Sequence, residues 1–183
     1  MLALRFRYRK TVYKHSHVRK YFEYRILPYF RAHRNFQKIL YVGIGSFTQH
    51  YPVFFKNKEV FATIDNNPDI EHYSPNEIHI IDCVSNIDRY FSSDYFDLVI
   101  MNGVYGWGLN DEKTLILSLK KIYNVLKEKG VLLFGWNNLP KYDPLNLHKN
   151  YFNNFKPYSF RGKCRIKLTR NNPKRHIYDF YEK

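Results

Sequence analysis

The chain has 183 residues, a hydrophobic fraction of 44% and a net charge of +14 at pH 7. That length suits one domain with a real core, the charge favours contact with phosphates or anionic surfaces, and the absence of any apolar run of about 18 residues excludes a membrane-spanning helix. The two cysteines, Cys83 and Cys164, form no CxxC pair and no disulfide framework, and the opening MLALRFRYRK lacks the apolar stretch of a signal peptide, so the expected location is the cytoplasm.

The charge is concentrated at the start. Residues 1–38 carry Arg5, Arg7, Arg9, Lys10, Lys14, Arg19, Lys20, Arg25, Arg31, Arg34 and Lys38 against the single acid Glu23. Within them, 11–34 read as one helix or two short ones, with Val12, Val18, Phe22 and Ile26 near helical spacing and Pro28 interrupting the pattern. Residues 1–36 therefore form a basic, aromatic N-terminal segment ahead of an α/β domain over 37–183. Three roles stand open for it: a helix packed on the domain by its Tyr and Phe side, a lid, or a contact through residues 5–38 with nucleic acid or an anionic surface. In the last role, Arg5-Phe6-Arg7-Tyr8-Arg9 would bind phosphates while its rings stack.

From Lys38 the pattern changes. KILYVGIG, EVFATID, EIHIID, YFDLVIMNG and GVLLFGWN are short runs rich in Val, Ile, Leu and Phe, as expected for strands buried on both faces. The segments between them suit helices or long turns. The clearest helix spans about Asp111 to Lys129, with Leu115, Leu119, Ile122 and Leu126 on one face, Asn110 as its cap and Gly130 as its terminator. Strands alternating with helices imply a doubly wound, mostly parallel sheet. At the tail, Cys164, Ile166 and Leu168 alternate with polar residues, RNNPKR supplies a turn, and HIYDFY reads as a strand, which makes an antiparallel C-terminal hairpin. Leu139 to Phe160, with three prolines, reads as loop or short helix.

The residues that carry chemistry sit at strand ends. Gly43-Ile44-Gly45 closes the first strand and lets a ligand approach the backbone, or serves a tight turn alone; Thr48 rules out a full GxGxxG. Asp65, about 20 residues on, holds the place where a carboxylate reaches ribose hydroxyls, although the turn Asp65-Asn66-Asn67-Pro68 would also favour an Asp. Asp82-Cys83 ends the third strand, as an adenine contact or a solvated pair. Asn102-Gly103-Val104-Tyr105-Gly106-Trp107-Gly108 follows the fourth strand, at the edge where open α/β sheets bind ligands; the alternative tucks Trp107 into the core. His176 opens the last strand, either on the surface or near a second ligand.

The succession KILYVGIGS, VFATID, IHIID, YFDLVIMNG and NVLKEKGVLLFGW, over roughly Lys38 to Asn137, resembles the motifs of the class I S-adenosylmethionine-dependent methyltransferases, and the tail resembles that family's closing hairpin. The resemblance implies a Rossmann-like fold with S-adenosylmethionine as cofactor. Gly43, Ile44 and Gly45 would line the methionine end, and Asp65 with Asn66 the ribose. Asp82 and Cys83 would flank the adenine, and Asn102 and Gly103 the sulfonium. Three positions depart from the family pattern: Tyr41 stands where an acid is usual, Phe47 replaces the third glycine, and Pro52 falls inside the first helix, which should therefore start late.

Methyl transfer from a sulfonium needs no dedicated nucleophile or metal, and the sequence has no HExxH, GxSxG or P-loop. The expected activity is methylation of a small-molecule acceptor, with Tyr105, Trp107 and His176 as candidates for the acceptor pocket. The alternatives are a nucleic-acid methyltransferase guided by the basic segment, a non-catalytic binding protein of the same fold, and a nicotinamide-dependent oxidoreductase, which the missing third glycine and the hairpin disfavour. Oligomeric state is not legible.

Overall fold

A computed structural model describes residues 17–33, 35–55, 58–75, 78–138, 144, 152–168 and 176–183. The Arg5–Arg9 motif, most of the loop after Asn138 and the turn RNNPKR lie outside them. Five parallel strands, β1 (Lys38–Val42), β2 (Val60–Asp65), β3 (Ile78–Ile81), β4 (Phe96–Asn102) and β5 (Leu126–Asn137), run in the order β3-β2-β1-β4-β5. β8 (His176–Glu182) pairs antiparallel with β5, and both β6 (Lys156–Pro157) and β7 (Arg165–Leu168) pair antiparallel with β8. The expected terminal hairpin is thus present as β7 and β8. Leu168 is buried and Ile166 half-buried, while Cys164 falls just outside the strand and is exposed.

Each central strand feeds two cores, because alternate side chains point to opposite faces. Leu40 and Val42 of β1 join a cluster with Val99, Met101, Leu115, Leu119 and Ile122. Ile39 and Tyr41 join the other, with Leu98, Ile100, Tyr178 and Phe180. The first cluster is covered by α3 (Glu112–Val125). The second is covered by the N-terminal helix, whose Phe22, Ile26, Leu27 and Phe30 are at most 1% exposed. The described part of the basic segment packs its aromatic side on the sheet, as in the first of the three roles, and Val18, Arg19 and Phe22 also reach the cavity.

That helix survives its proline. α1 (His17–Tyr21) runs through a π-helical stretch, Phe22–Ile26, into α2 (Leu27–His33), with Pro28 inside. A proline lacks the N–H that would bond the carbonyl four residues back, and its ring crowds that carbonyl. Here the ladder widens first, with the Leu27 N–H bonding the Phe22 carbonyl five residues back. The expected interruption at Pro28 is absorbed as a π-bulge.

The segment after β1 and the ends of α3 differ from expectation. After β1 there is only a 3-10 helix, Thr48–Phe54, with Pro52 inside it. Pro52 cannot donate back to Thr48, so no α-helical ladder is built across it. β2 and β3 are also followed by 3-10 turns, Pro68–Tyr73 and Val84–Arg89. α3 is capped by Asp111, whose carboxylate accepts the Thr114 N–H at 2.8 Å, while Asn110 bonds the Trp107 carbonyl instead. α3 also ends at Val125 rather than Lys129. Leu126 is fully buried in extended backbone opposite Phe96, which the helix could not supply. Lys129 turns the chain at φ 63°, and Gly130 leaves space where a Cβ would sit 2.7 Å from the Lys127 carbonyl.

Asp97 ties this turn to the start of β1. Its Oδ2 accepts the N–H of Lys38 at 2.8 Å and of Gln37 at 3.0 Å, and its Oδ1 takes the Lys127 ammonium at 2.7 Å. Burial raises the carboxyl pKa, but Lys127 and the two N–H groups outweigh it and hold it below the ordinary 3.8. A depressed native pKa gives stability that is present above the unfolded value and lost as pH falls through the native one. Asp97→Asn should therefore reduce the difference in urea midpoint between pH 7 and pH 3 relative to wild type. An unchanged difference would show that Asp97 contributes nothing to acid sensitivity.

Candidate functional site

β1 and β4 are neighbours whose connections leave to opposite sides, so a crevice opens beyond their carboxyl ends. A cavity of about 840 Å³ lies there, within the range of roughly 300–1,000 Å³ usual for small-molecule and cofactor sites. Gly43, Ile44, Asp65, Asn66, Asp82, Cys83, Asn102, Gly103, Trp107 and His176 all border it. The strand-end residues singled out in the sequence thus converge, except for Gly45 and Tyr105.

The glycine loop is built against β2. Gly43 has φ +81°, and a Cβ on it would meet Val104 Cγ2 at 2.7 Å. The Ile44 N–H donates to Asp65 Oδ2 at 2.9 Å, and Asp65 Oδ1 accepts the Asn67 N–H at 2.9 Å. Each carboxylate oxygen can accept twice, so Asp65 keeps capacity for two ligand hydroxyls while it clamps the loop. Gly45 itself is held by Thr48, its N–H bonding Thr48 Oγ1 at 2.8 Å, and a Cβ there would strike the Phe47 ring. Gly103, at φ +76°, has nothing within 4 Å of its absent Cβ, so its backbone is open to a ligand. Asp82 at the far end accepts from the Cys83 N–H, the Asn86 amide and the Tyr90 hydroxyl. The Asn86 bond is the main cause holding its carboxyl below the ordinary range, so Asp82 faces the cavity as a carboxylate.

Tyr105 is a correction. It is 3% exposed with its ring 6.2 Å from Phe134, inside the core and off the cavity wall. The N–H groups of Trp107, Gly108 and Leu109 all turn onto the Val104 carbonyl, a tight turn that drives Tyr105 inward and leaves Trp107 outward, 64% exposed at the rim. Since Trp107 has little to lose on truncation, Trp107→Ala should change unfolding free energy by no more than about 0.5 kcal/mol. A larger loss in urea unfolding would return Trp107 to the core.

Of the two places open for His176, the structure gives the inner one, since it is 5% exposed and borders the cavity. Its Nε2 lies 3.0 Å from Asn102 Oδ1 and its Nδ1 3.0 Å from the Asn137 carboxamide. Burial pushes its pKa down to about 4, so the ring is neutral at pH 7.

The wall opposite Asp65 was not legible in strand-end motifs. The N-terminal helix contributes Val18, Arg19 and Phe22, and the strands contribute Tyr41, Tyr178 and Asn137. The Arg19 guanidinium stacks 3.3 Å above the Phe47 ring and lies 3.4 Å from the Tyr51 hydroxyl, which donates to Glu23 at 3.2 Å. Glu23 is 6% exposed, so the helix brings a buried acid close to Tyr41 and Tyr51. Burial, reinforced by that acid, raises the pKa of both hydroxyls. Tyr41 and Phe47, two of the three departures from the family pattern, therefore lie where this helix borders the cavity.

No family model matches the sequence, and no curated protein sequence matches it. Solved structures do. The N-methyltransferase NodS from Bradyrhizobium japonicum superposes with a TM-score of 0.69 at 10% identity, over 90% of this chain and 95% of that one. A 1,6-didemethyltoxoflavin-N1-methyltransferase from Burkholderia thailandensis, with its substrate and S-adenosylhomocysteine bound, gives 0.59 at 12% identity over 87% and 77%. An rRNA methylase from Streptococcus thermophilus gives 0.57 at 13% identity over 86% and 93%. The fold is that of the class I S-adenosylmethionine-dependent methyltransferases, mostly parallel with an antiparallel C-terminal part. Among the described residues, no helix is long and apolar enough to cross a membrane.

Proposed function

We propose that the chain is an S-adenosylmethionine-dependent methyltransferase acting on a small-molecule acceptor. The observation that carries this reading is the clamp between Asp65 and the Ile44 N–H at the mouth of the crevice. It couples a candidate ribose carboxylate to the glycine loop in one rigid unit, with Gly103 bare on the facing loop. Asp65 would hold the ribose hydroxyls with its remaining lone pairs. Asp82 and Cys83 would border the adenine, Asn66 the ribose edge, and Gly43, Ile44, Asn102 and Gly103 the methionine end. When bound, the cofactor supplies an electrophilic methyl group on a sulfonium. The protein's part is to align the acceptor and exclude water.

A small acceptor is favoured because Val18, Arg19 and Phe22 of the N-terminal helix and the buried Tyr41, Tyr51 and Tyr178 border the cavity, which narrows the half-open crevice beside the strand ends. Trp107 at the rim would border the acceptor's entry, so Trp107→Ala should lower turnover more than cofactor affinity.

Thermal unfolding tests the reading. A ligand at about 100 times its Kd adds roughly 2.7 kcal/mol to native stability. S-adenosylmethionine and S-adenosylhomocysteine should both raise Tm, whereas NAD and ATP should not. A rise with NAD alone would favour an oxidoreductase, and no rise with any of the four would favour a binding protein that keeps only the fold.

A further inference from the structure

The cavity is acidic although the chain is strongly basic. Asp65, Asp82 and Asp111 border it, and among the described residues around it Arg19 is the only lysine or arginine. The anionic part of a ligand is repelled by three aspartates and attracted at one place. That place is the glycine loop. The Phe47 ring lies against Gly45, its Cε1 2.8 Å from where a Cβ would sit, and the Arg19 guanidinium stands 3.3 Å above the same ring. Phe47 occupies the position of the third glycine in the family pattern.

Three aromatic residues set where the Arg19 head stands. Phe47 offers the face of its ring to the cation. Tyr51 accepts from Arg19 Nη1 at 3.4 Å and donates to Glu23 at 3.2 Å, so two residues one helical turn apart share its hydroxyl. Tyr178 of β8 donates to the Val18 carbonyl at 3.1 Å and pins the backbone beside Arg19. The side chain is therefore half-buried and oriented by packing where it borders the cavity. A guanidinium presents its N–H groups as a planar fork, and a carboxylate matches that fork with two parallel bonds.

We propose that Arg19 binds the carboxylate at the methionine end of the cofactor, and that Phe47, in place of the third glycine, is the platform that positions it. The proposal rests on the methyltransferase reading of the same site. S-adenosylmethionine carries one anionic group, that carboxylate, beside a cationic ammonium and a cationic sulfonium. Gly43 and Ile44, assigned to the methionine end, belong to the loop that carries Phe47. An acidic acceptor would also bring a carboxylate. Its entry at Trp107 follows β4, however, whereas the Arg19 head sits on Phe47 and Tyr51 after β1. Asp65 on the ribose and Arg19 on the carboxylate would grip the two sides of the sulfonium and fix the direction of its methyl group. Phe47 is a positioning residue in this scheme, acting through Arg19.

Titration calorimetry with S-adenosylhomocysteine and its decarboxylated analogue, which keeps the adenosine, thioether and ammonium, tests both parts. Arg19→Gln should weaken S-adenosylhomocysteine about 10- to 100-fold, the loss of charge-assisted hydrogen bonds, and the analogue less than about 3-fold. Arg19→Lys should fall between wild type and Gln, because it keeps the charge and loses the fork. Phe47→Leu should weaken S-adenosylhomocysteine about 2- to 5-fold, the loss of one cation–π contact, and leave the analogue unchanged. Phe47→Gly, which restores the family's residue, should weaken it at least as much. Wild-type protein should itself bind the analogue more weakly than S-adenosylhomocysteine, a comparison that stands even if a variant fails to fold. Equal wild-type affinity for the two ligands, equal losses for both in Arg19→Gln, or unchanged S-adenosylhomocysteine affinity in that variant overturns the proposal. Failure of wild-type protein to bind either ligand overturns the cofactor reading, and the assignment of Arg19 falls with it.

Discussion

Asp179→Ala should destabilise the fold by about 3 kcal/mol, the lower end of the roughly 3–5 kcal/mol typical for breaking a buried ion pair from one side. Asp179 is 2% exposed. Its Oδ2 accepts the Trp136 indole N–H at 2.8 Å and an Arg165 Nη2–H at 3.0 Å, and its Oδ1 takes the Arg165 Nε–H. The carboxylate thus joins β5, β8 and β7 across the antiparallel end of the sheet. Removing it strands the Trp136 N–H in the core and takes the carboxylate away from Arg165. Arg165 is 26% exposed and turns partly to water, which is why the lower figure is expected. Asp179→Asn should cost less, because it keeps an acceptor for Trp136. Urea unfolding should give a lower midpoint with an unchanged m-value. A loss under 1 kcal/mol would mean that the hairpin is held by its apolar face alone.

Asp65→Ala should weaken S-adenosylmethionine binding by about 10-fold to several hundred-fold. Hydrogen bonds to a charged group are worth roughly 1.5–3 kcal/mol, and each 1.4 kcal/mol is tenfold. From the sequence, the turn around Asp65 suggests that the folded state should barely notice. The clamp onto Ile44 and Asn67 changes that expectation. The variant should also lose stability, and its glycine loop should loosen, so part of the affinity loss comes through the loop. Asp65→Asn keeps one acceptor and should fall between wild type and Ala on both measures. A small stability loss with unchanged ligand affinity would make Asp65 a turn residue only.

The sheet was legible because its strands are near-continuous apolar runs ended by Gly, Asp or Asn, and the hairpin because Ile166 and Leu168 alternate with charge. The helices were less legible. Period and capping residues extend α3 to Lys129, but the demand for Leu126 in the sheet ends it four residues earlier. Pro28 looks like a breaker in sequence and is accommodated only because the π-bulge precedes it. The glycine loop, Asp65 and Asp82 were readable since strand ends are adjacent in any parallel sheet. The opposite wall was not, because Arg19, Tyr41, Tyr178 and Asn137 meet only through packing between distant segments. Asn137 did carry a signal: it ends β5 as Asn102 ends β4. Tyr105 and Trp107 were assigned to the same side, and the turn onto Val104 separates them.

Titration calorimetry of S-adenosylhomocysteine into the wild-type protein addresses the cofactor site most directly. Saturable one-to-one binding that NAD and ATP do not displace, and that Asp65→Ala weakens at least tenfold, is the predicted result. No binding at high micromolar concentration, or displacement by NAD, would contradict it.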